Sequence, residues 1–186
     1  MTTGGRLKIE MLNILEGFNV KEMGHNSAIS LHVLTEAMRR AFSDRAQYIG
    51  DPNFNPKMPV KEITSKAYAD RLRNTIELGR ASVSDSANFN KAHISPESPE
   101  TTHISVIDKD GNAVSMTYTL EASYGNRIVV EGAGFLLNNE MGDFNPIPGY
   151  TDSSGLIGTD PNLVAPEKRM LSSMTPTIVT KDGKPY

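Results

Sequence analysis

Apolar residues in the first 80 positions recur at the spacing of helices. Residues 8–17 form a short apolar segment that ends at Gly17, where a helix is expected to stop. A longer pattern begins at a cap, Asn26 or Ser27, and runs to about Tyr48. Its apolar positions recur every three to four residues, which predicts one buried amphipathic face. That face consists of Leu31, Leu34, Met38, Ala41 and Phe42.

A third helical pattern follows a break at Gly50-Asp51-Pro52. It extends from Ser65 to Leu78, and Gly79 is the expected C-cap. Its apolar residues stand four positions apart and are Tyr68, Leu72 and Ile76. The first part of the chain is therefore expected to be helical.

The pattern changes at about residue 80. Serine, asparagine, aspartate and proline dominate residues 80–100, which predicts an exposed linker. Beyond it, segments 102–107 and 113–120 flank an Asp-Lys-Asp-Gly-Asn turn, which predicts a β-hairpin. Further strands are expected in the apolar segments 128–130, 134–137 and 176–180.

The two halves are expected to form one structural domain of α/β (α+β) class. Residues 1–100 would be its helical part, including the linker 80–100, and residues 101–186 its β-rich part. Residues 145–168 are rich in Pro, Gly, Asp and Ser and predict a long loop. Such loops are uncommon unless they are functional or disordered.

Composition excludes several classes of function. The 186 residues carry a net charge of -3, so nothing indicates a nucleic-acid partner. The chain has no cysteine, which excludes disulfides and thiolate chemistry. No apolar run approaches the roughly 20 residues of a membrane-spanning helix, so no membrane segment is expected in this chain.

The boundary at residue 100 could carry chemistry. A threonine hydroxyl needs a base, and a threonine that begins a chain has one in its own α-amine, whose ordinary pKa is about 7.7–8.0. Thr101 would gain that amine if the Glu100–Thr101 bond were cut. By itself, however, Thr101-Thr102 at a strand start is ordinary β-propensity.

The later sequence makes the hypothesis specific. Segments 101–108, 110–114, 117–119, 134–144 and 171–178 resemble, in order and spacing, the successive blocks of the γ-glutamyltranspeptidase small subunit. Segments 4–5, 12–16 and 41–52 resemble the end of the large subunit of that family. The resemblance covers essentially the whole chain. It implies part of an N-terminal-nucleophile hydrolase fold, an αββα sandwich with antiparallel sheets.

The resemblance implies catalytic roles for two threonines. Thr101 matches the nucleophile, which also cleaves the precursor at the Glu100–Thr101 bond. Thr119 matches a threonine that hydrogen-bonds the nucleophile and orients it. The implied reaction needs no cofactor and no metal.

The resemblance also implies a substrate pocket. Glu140 and Asp143 match residues that hold the substrate α-amino group, and carboxylates suit an ammonium ion. Ser172 and Ser173 match the pair that hydrogen-bonds the substrate α-carboxylate. Glu121 stands where many members carry an asparagine that contacts the α-amine, so this chain departs from the family there.

The implied function is γ-glutamyl transfer from, or hydrolysis of, glutathione and γ-glutamyl amides through a threonine ester. The partners would be these small molecules and amino-acid acceptors. Two alternatives are an acylase for glutaryl side chains and a catalytically inactive binding module. Because family members are longer at both ends, we interpret the chain as a central fragment of a periplasmic or secreted protein. By itself it is expected to be inactive and uncut, and able to dimerise through strand edges.

Overall fold

The computed structural model describes residues 3–83, 101–150 and 158–186. Five helices lie in the first of these ranges. They are α1 (Thr3–Leu15), α2 (Val20–Met23), α3 (Ala28–Tyr48), α4 (Val60–Ile63) and α5 (Lys66–Arg73). The long helix α3 is confirmed as predicted, with Ser27 as its cap: the Ser27 hydroxyl accepts a hydrogen bond from Ser30 N at 3.2 Å.

The third predicted helix is shorter than expected. The structure ends α5 at Arg73, so the prediction of a helix to Leu78 with Gly79 as C-cap was wrong. Side chains bond the carbonyl groups at this end: Thr75 Oγ1 donates to Leu72 O at 2.7 Å, and Arg40 donates to Leu72 O at 3.2 Å. Both bonds go to one carbonyl in the last turn of the helix, so side chains share in satisfying it.

The buried face of α3 also differs from the prediction. Leu31, Leu34, Met38 and Phe42 are between 40% and 48% exposed. The buried positions of α3 are Val33, Glu36, Ala37, Ala41, Asp44 and Ala46. Of the predicted face only Ala41 is buried, because α3 turns its small residues toward its neighbours, as at Ala37 in the core.

Two apolar clusters hold the helices together. In one, Ile14 of α1, Ala37 of α3 and Ala69 of α5 pack with Leu72 and Ile76 around them. In the other, Ile49, Ile63 and Leu171 pack against Met58 and Tyr68. The second cluster packs Leu171 against the helical part.

The β region begins with the predicted hairpin. Strand β1 (Thr102–Ile107) pairs antiparallel with β2 (Ala113–Tyr118), and Thr102 lies opposite Tyr118. Short strands β3 (Thr180–Lys181) and β4 (Lys184–Pro185) form a second antiparallel pair. The expected strand over 176–180 is thus reduced to its last residue.

The expected strands at 128–130 and 134–137 were also wrong. They are reduced to one antiparallel bridge between Val129 and Leu136. Gly132 and Gly134 both have positive φ, and Gly134 N donates to Val130 O at 3.1 Å. A turn therefore interrupts the segment before a ladder can form.

The described residues fall into two units. One comprises Met1–Ser95 and Phe144–Ser173, and the other comprises Pro96–Asp143 and Met174–Tyr186. The predicted loop 145–168 contributes a 3₁₀ helix, Asp160–Asn162, to the first unit. Residues 84–100, most of the predicted linker, and loop residues 151–157 lie outside the described residues. Whether 1–100 and 101–186 form one structural domain stays a prediction.

The fold class is mixed helix and antiparallel sheet, as the sequence predicts. Among the described residues, no helix combines the length and the apolar character needed to cross a bilayer.

Candidate active site

The hairpin register brings the two candidate catalytic threonines together. Thr102 pairs with Tyr118, so the preceding Thr101 lies beside Thr119 at the open end of the hairpin. The Thr101 hydroxyl donates to Thr119 Oγ1 at 3.2 Å. Thr101 is exposed and Thr119 is half-buried. A nucleophile with its hydroxyl accessible and oriented by a neighbour fits the chemistry expected of Thr101.

Thr119 also connects the hairpin to the loop after it. Its Oγ1 accepts from Glu121 N at 2.9 Å. Asn139 then holds Glu121 in place, because its Nδ2 donates to Glu121 Oε2 at 2.6 Å. Asn139 Oδ1 accepts from Ala122 N at 3.0 Å. Thr119 therefore bonds both the Thr101 hydroxyl and the main chain of Glu121, and Asn139 holds the carboxylate of Glu121.

Three carboxylates gather near the end of this network. Glu140 and Asp143 lie in a 3₁₀ helix, Glu140–Asp143, and Glu140 N donates to Asn138 Oδ1 at 3.0 Å. The Glu121 carboxylate lies against Gly142, where an added Cβ would overlap it. The structure thus brings together Glu121, Glu140 and Asp143, as the resemblance implies.

The electrostatics of this cluster favour a bound cation. Burial raises the pKa of Glu140, and the charges of Asp143 and Glu121 raise it further. Burial, followed by the charge of Asp143, raises the pKa of Glu121. Neighbouring carboxylates disfavour each other's ionisation, and a positive group among them would relieve that repulsion. A substrate ammonium is such a group.

Glu121 adopts an unusual backbone conformation. Its φ is 71°, in the left-handed region that residues other than glycine adopt at a cost. Asparagine enters this region more readily than glutamate. The asparagine that the resemblance implies for many members of the family would therefore match the backbone, whereas Glu121 is held by a hydrogen bond that Asn139 Nδ2 donates to its carboxylate.

His103 lies on the same face of the hairpin as Thr101. His103 is opposite Thr117, and its Nδ1 is 2.8 Å from Thr117 Oγ1. Its Nε2 is 3.0 Å from Ser105 Oγ and 3.3 Å from Ser115 Oγ. These bonds bind both ring nitrogens to strand hydroxyls, so His103 rigidifies the face that carries Thr101.

The two candidate carboxylate-binding serines belong to the other unit. They follow the buried Leu171, and Gly4 N donates to Ser172 O at 3.0 Å. Ser173 Oγ accepts from Arg45 Nη2 at 3.3 Å. Glu100, the other residue of the expected cleavage site, lies outside the described residues.

Sequence reasoning missed the roles of Asn139 and Arg45. Asn139 is 18 residues from Glu121, and Arg45 is 128 residues from Ser173. Within ranges 3–83, 101–150 and 158–186, His, Asp and Glu side chains form no group of three or more that could hold a metal ion.

Comparison with known proteins decides the family. The family model named gamma-glutamyltranspeptidase matches residues 1–186. The chain belongs to the γ-glutamyltranspeptidase family. It is 46% identical to the glutathione hydrolase proenzyme of Escherichia coli over 186 residues, which are 100% of this chain and 32% of that protein.

Acylases are also relatives of this γ-glutamyltranspeptidase-family chain. The chain is 38% identical to the acylase ACY 1 proenzyme of a Pseudomonas strain. The match covers 94% of this chain and 28% of that protein. The cephalosporin acylase structure from Bacillus halodurans matches with a TM-score of 0.69 at 26% identity, covering 98% of this chain and 29% of that one. This likeness confirms the predicted fold class. The chain spans about a third of the length of the curated relatives it matches.

Proposed function

We propose that the whole protein cleaves γ-glutamyl amides, such as glutathione, through a threonine ester. The observation that carries the proposal is the contact between the hydroxyls of Thr101 and Thr119, 3.2 Å apart, in a chain that matches the family over residues 1–186. Family membership supplies the reaction class, and the contact supports Thr101 as the attacking residue.

The proposed reaction starts with cleavage of the Glu100–Thr101 bond. The new α-amine of Thr101 takes the proton from its Oγ1 as that oxygen attacks the γ-carbonyl carbon. The carbon–nitrogen bond of the substrate breaks, and the leaving amine takes the proton. Water or an amino-acid amine then attacks the resulting ester and restores the Thr101 hydroxyl. Thr119 would orient Thr101 throughout.

Substrate recognition is proposed to depend on two groups of side chains. Glu121, Glu140 and Asp143 would hold the α-ammonium, since the pKa values of Glu121 and Glu140 are raised by burial and by the charge of Asp143, and a cation would relieve this repulsion. Ser172 and Ser173 would donate to the α-carboxylate. Charge-assisted hydrogen bonds of this kind are stronger than neutral ones. Pairing of two copies of the chain through strand edges stays a prediction.

A glutaryl acylase is the second candidate, because an acylase is 38% identical to this chain. A glutaryl group has no amine. A glutaryl substrate would therefore bring no positive charge to relieve the repulsion among Glu121, Glu140 and Asp143. The acid cluster therefore favours the γ-glutamyl substrate.

The test compares γ-glutamyl and glutaryl p-nitroanilides with the whole protein. We expect hydrolysis of the γ-glutamyl anilide, and we expect Thr101→Ala to remove it together with the new N-terminus at residue 101. Thr101→Ser should keep part of the activity because it retains the hydroxyl. Thr102→Val, at the adjacent strand position, is the matched control and should remain active.

Each outcome has a clear meaning. Preference for the glutaryl anilide would select the acylase function. Undiminished activity in Thr101→Ala would contradict the assignment of the nucleophile. No hydrolysis of either anilide by a correctly cleaved protein would select the inactive binding module.

A further inference from the structure

Arg45 lies where the candidate carboxylate-binding serines are held. It belongs to the last turn of α3, and its Nη2 donates to Ser173 Oγ at 3.3 Å. The Arg45 guanidinium also lies over the Phe42 ring, 6.0 Å from the ring centroid. Arg45 is half-buried, whereas Ser173 is exposed. The helix thus presents a cation directly to the Ser173 hydroxyl.

The serine pair is fixed from its other side by the main chain. Leu171 is 3% exposed and packs with Ile49 and Ile63. Its N–H donates to Asn162 Oδ1 at 3.0 Å. Gly4 N donates to Ser172 O at 3.0 Å. The backbone that leads into Ser173 is therefore anchored at Leu171 and at Ser172.

The direction of the Arg45–Ser173 bond decides what the serine can do. A guanidinium has only donors, so Ser173 Oγ is the acceptor in this contact. The serine's own proton must then go to an acceptor. A substrate carboxylate is an acceptor, and a hydroxyl that already accepts from a cation is a better donor because hydrogen bonds in a chain polarise one another.

We propose that Arg45 is a positioning residue for the substrate α-carboxylate. It acts through Ser173, by directing the O–H of that serine toward the carboxylate and by placing a positive charge behind it. This inference rests on the proposed function, since it assumes that Ser173 meets the carboxylate. It adds to that function a specificity element supplied by α3, more than 100 residues before the serine pair in the sequence.

The test measures how the whole protein hydrolyses substrates that differ in their two charged groups, the amine and the carboxylate. Three anilides are compared: γ-glutamyl, which has amine and carboxylate; 4-aminobutyryl, which lacks the carboxylate; and glutaryl, which lacks the amine. Arg45→Met should raise KM for the γ-glutamyl anilide about tenfold, the size of one hydrogen bond to a charged group. KM for the 4-aminobutyryl anilide and kcat for both should stay nearly unchanged.

Two further variants show whether Arg45 acts through Ser173. Arg45→Lys should recover part of the loss, because it retains the charge. In the Arg45→Met/Ser173→Ala double variant, KM should rise no further than in Ser173→Ala, because residues that act as one unit are not additive. Arg71→Met is the matched control: Arg71 also lies over an aromatic ring, that of Tyr68 at 5.0 Å, and should leave all three substrates unaffected.

The outcomes keep the two proposals apart. If Ser173→Ala does not affect the preference for a carboxylate, the proposed substrate site is wrong. If Ser173→Ala weakens that preference and Arg45→Met does not, only the role of Arg45 is overturned. Equal losses on the γ-glutamyl and 4-aminobutyryl anilides in Arg45→Met would mean that Arg45 merely supports the fold.

Discussion

Single polar side chains shape the candidate site by bonding the main chain two positions later. Thr119 Oγ1 accepts from Glu121 N at 2.9 Å, and Asn138 Oδ1 accepts from Glu140 N at 3.0 Å. Such local bonds favour turns over regular ladders. They explain why the chain leaves the sheet after β2.

Gly142 offers a way to move the Glu121 carboxylate without disturbing the fold. The three heavy atoms nearest to a methyl group at Gly142 would all belong to the Glu121 carboxyl group, at the far end of that side chain. We expect Gly142→Ala to displace that carboxylate and raise KM for a γ-glutamyl anilide about tenfold, with an unchanged melting temperature. Steady-state kinetics and thermal unfolding measure the two quantities.

Gly79→Ala is the control, since an added methyl group there meets nothing within 4 Å. It should change neither KM nor the melting temperature. An unchanged KM in Gly142→Ala would show that the position of Glu121 does not matter for the substrate.

At the residue level, the sequence supported some site residues better than others. The contact of Thr101 with Thr119 could be predicted, because a hairpin with a short turn fixes which residues face each other. The contact of Arg45 with Ser173 could not, because it depends on how Leu171 packs on Ile49 and Ile63. Local chemistry is readable from sequence, whereas long-range packing is not.

Among the elements, α3 shows the limit of hydrophobic patterning. Its larger apolar residues suggest one face, but the helix buries another face that is rich in alanine. Small side chains allow neighbouring helices to approach closely, as Ala37 and Ala69 do around Ile14. Periodicity predicted correctly that the helix exists, but it predicted the wrong buried face.

The ends of α3 were predictable because caps are local. Ser27 Oγ accepts from Ser30 N at 3.2 Å and donates to Met23 O at 2.6 Å. We expect Ser27→Ala to lower the free energy of unfolding by about 1 kcal/mol, the usual cost of losing an N-cap. Urea unfolding followed by circular dichroism measures it.

A serine inside the same helix provides the comparison. Ser43 lies within α3, and alanine is the better helix former in such a position. Ser43→Ala should therefore keep or slightly increase stability. Equal destabilisation by both variants would show that the cap is not the cause.

Across the whole molecule, the buried carboxylates of the helical unit have opposite electrostatic character. Glu36 is 1% exposed; burial raises its pKa, but hydrogen bonds from Ser82 and Arg40 outweigh burial and lower it to about 2. Glu10 is fully buried, and burial, followed by the charge of Asp44, raises its pKa to about 9. Burial likewise raises the pKa of Asp44, although Tyr68 donates to it at 2.7 Å.

The two glutamates therefore affect stability on opposite sides of their ordinary pKa, which is 4.5. Ionised Glu36 stabilises the folded state above pH 4.5, and this contribution is lost as pH falls toward about 2. Glu10 stays protonated in the folded state while the unfolded chain releases its proton above pH 4.5. Its contribution therefore decreases stability as pH rises from 4.5 to about 9.

The two glutamates together should give the protein a maximum of stability. The contributions of Glu10 and Glu36 together predict that the free energy of unfolding is greatest near pH 4.5 and falls at lower and at higher pH. Glu10→Gln removes one proton-linked step, so it should flatten the alkaline decline by up to about 1.4 kcal/mol per pH unit and leave the acid side unchanged. Glu36→Gln should flatten the acid side alone, while it lowers stability at pH 7 because the bond from Arg40, 2.6 Å long, loses its charged acceptor. Urea unfolding between pH 3 and pH 9 measures both slopes. An alkaline slope that persists in Glu10→Gln would show that the proton of Glu10 is not the one released on unfolding.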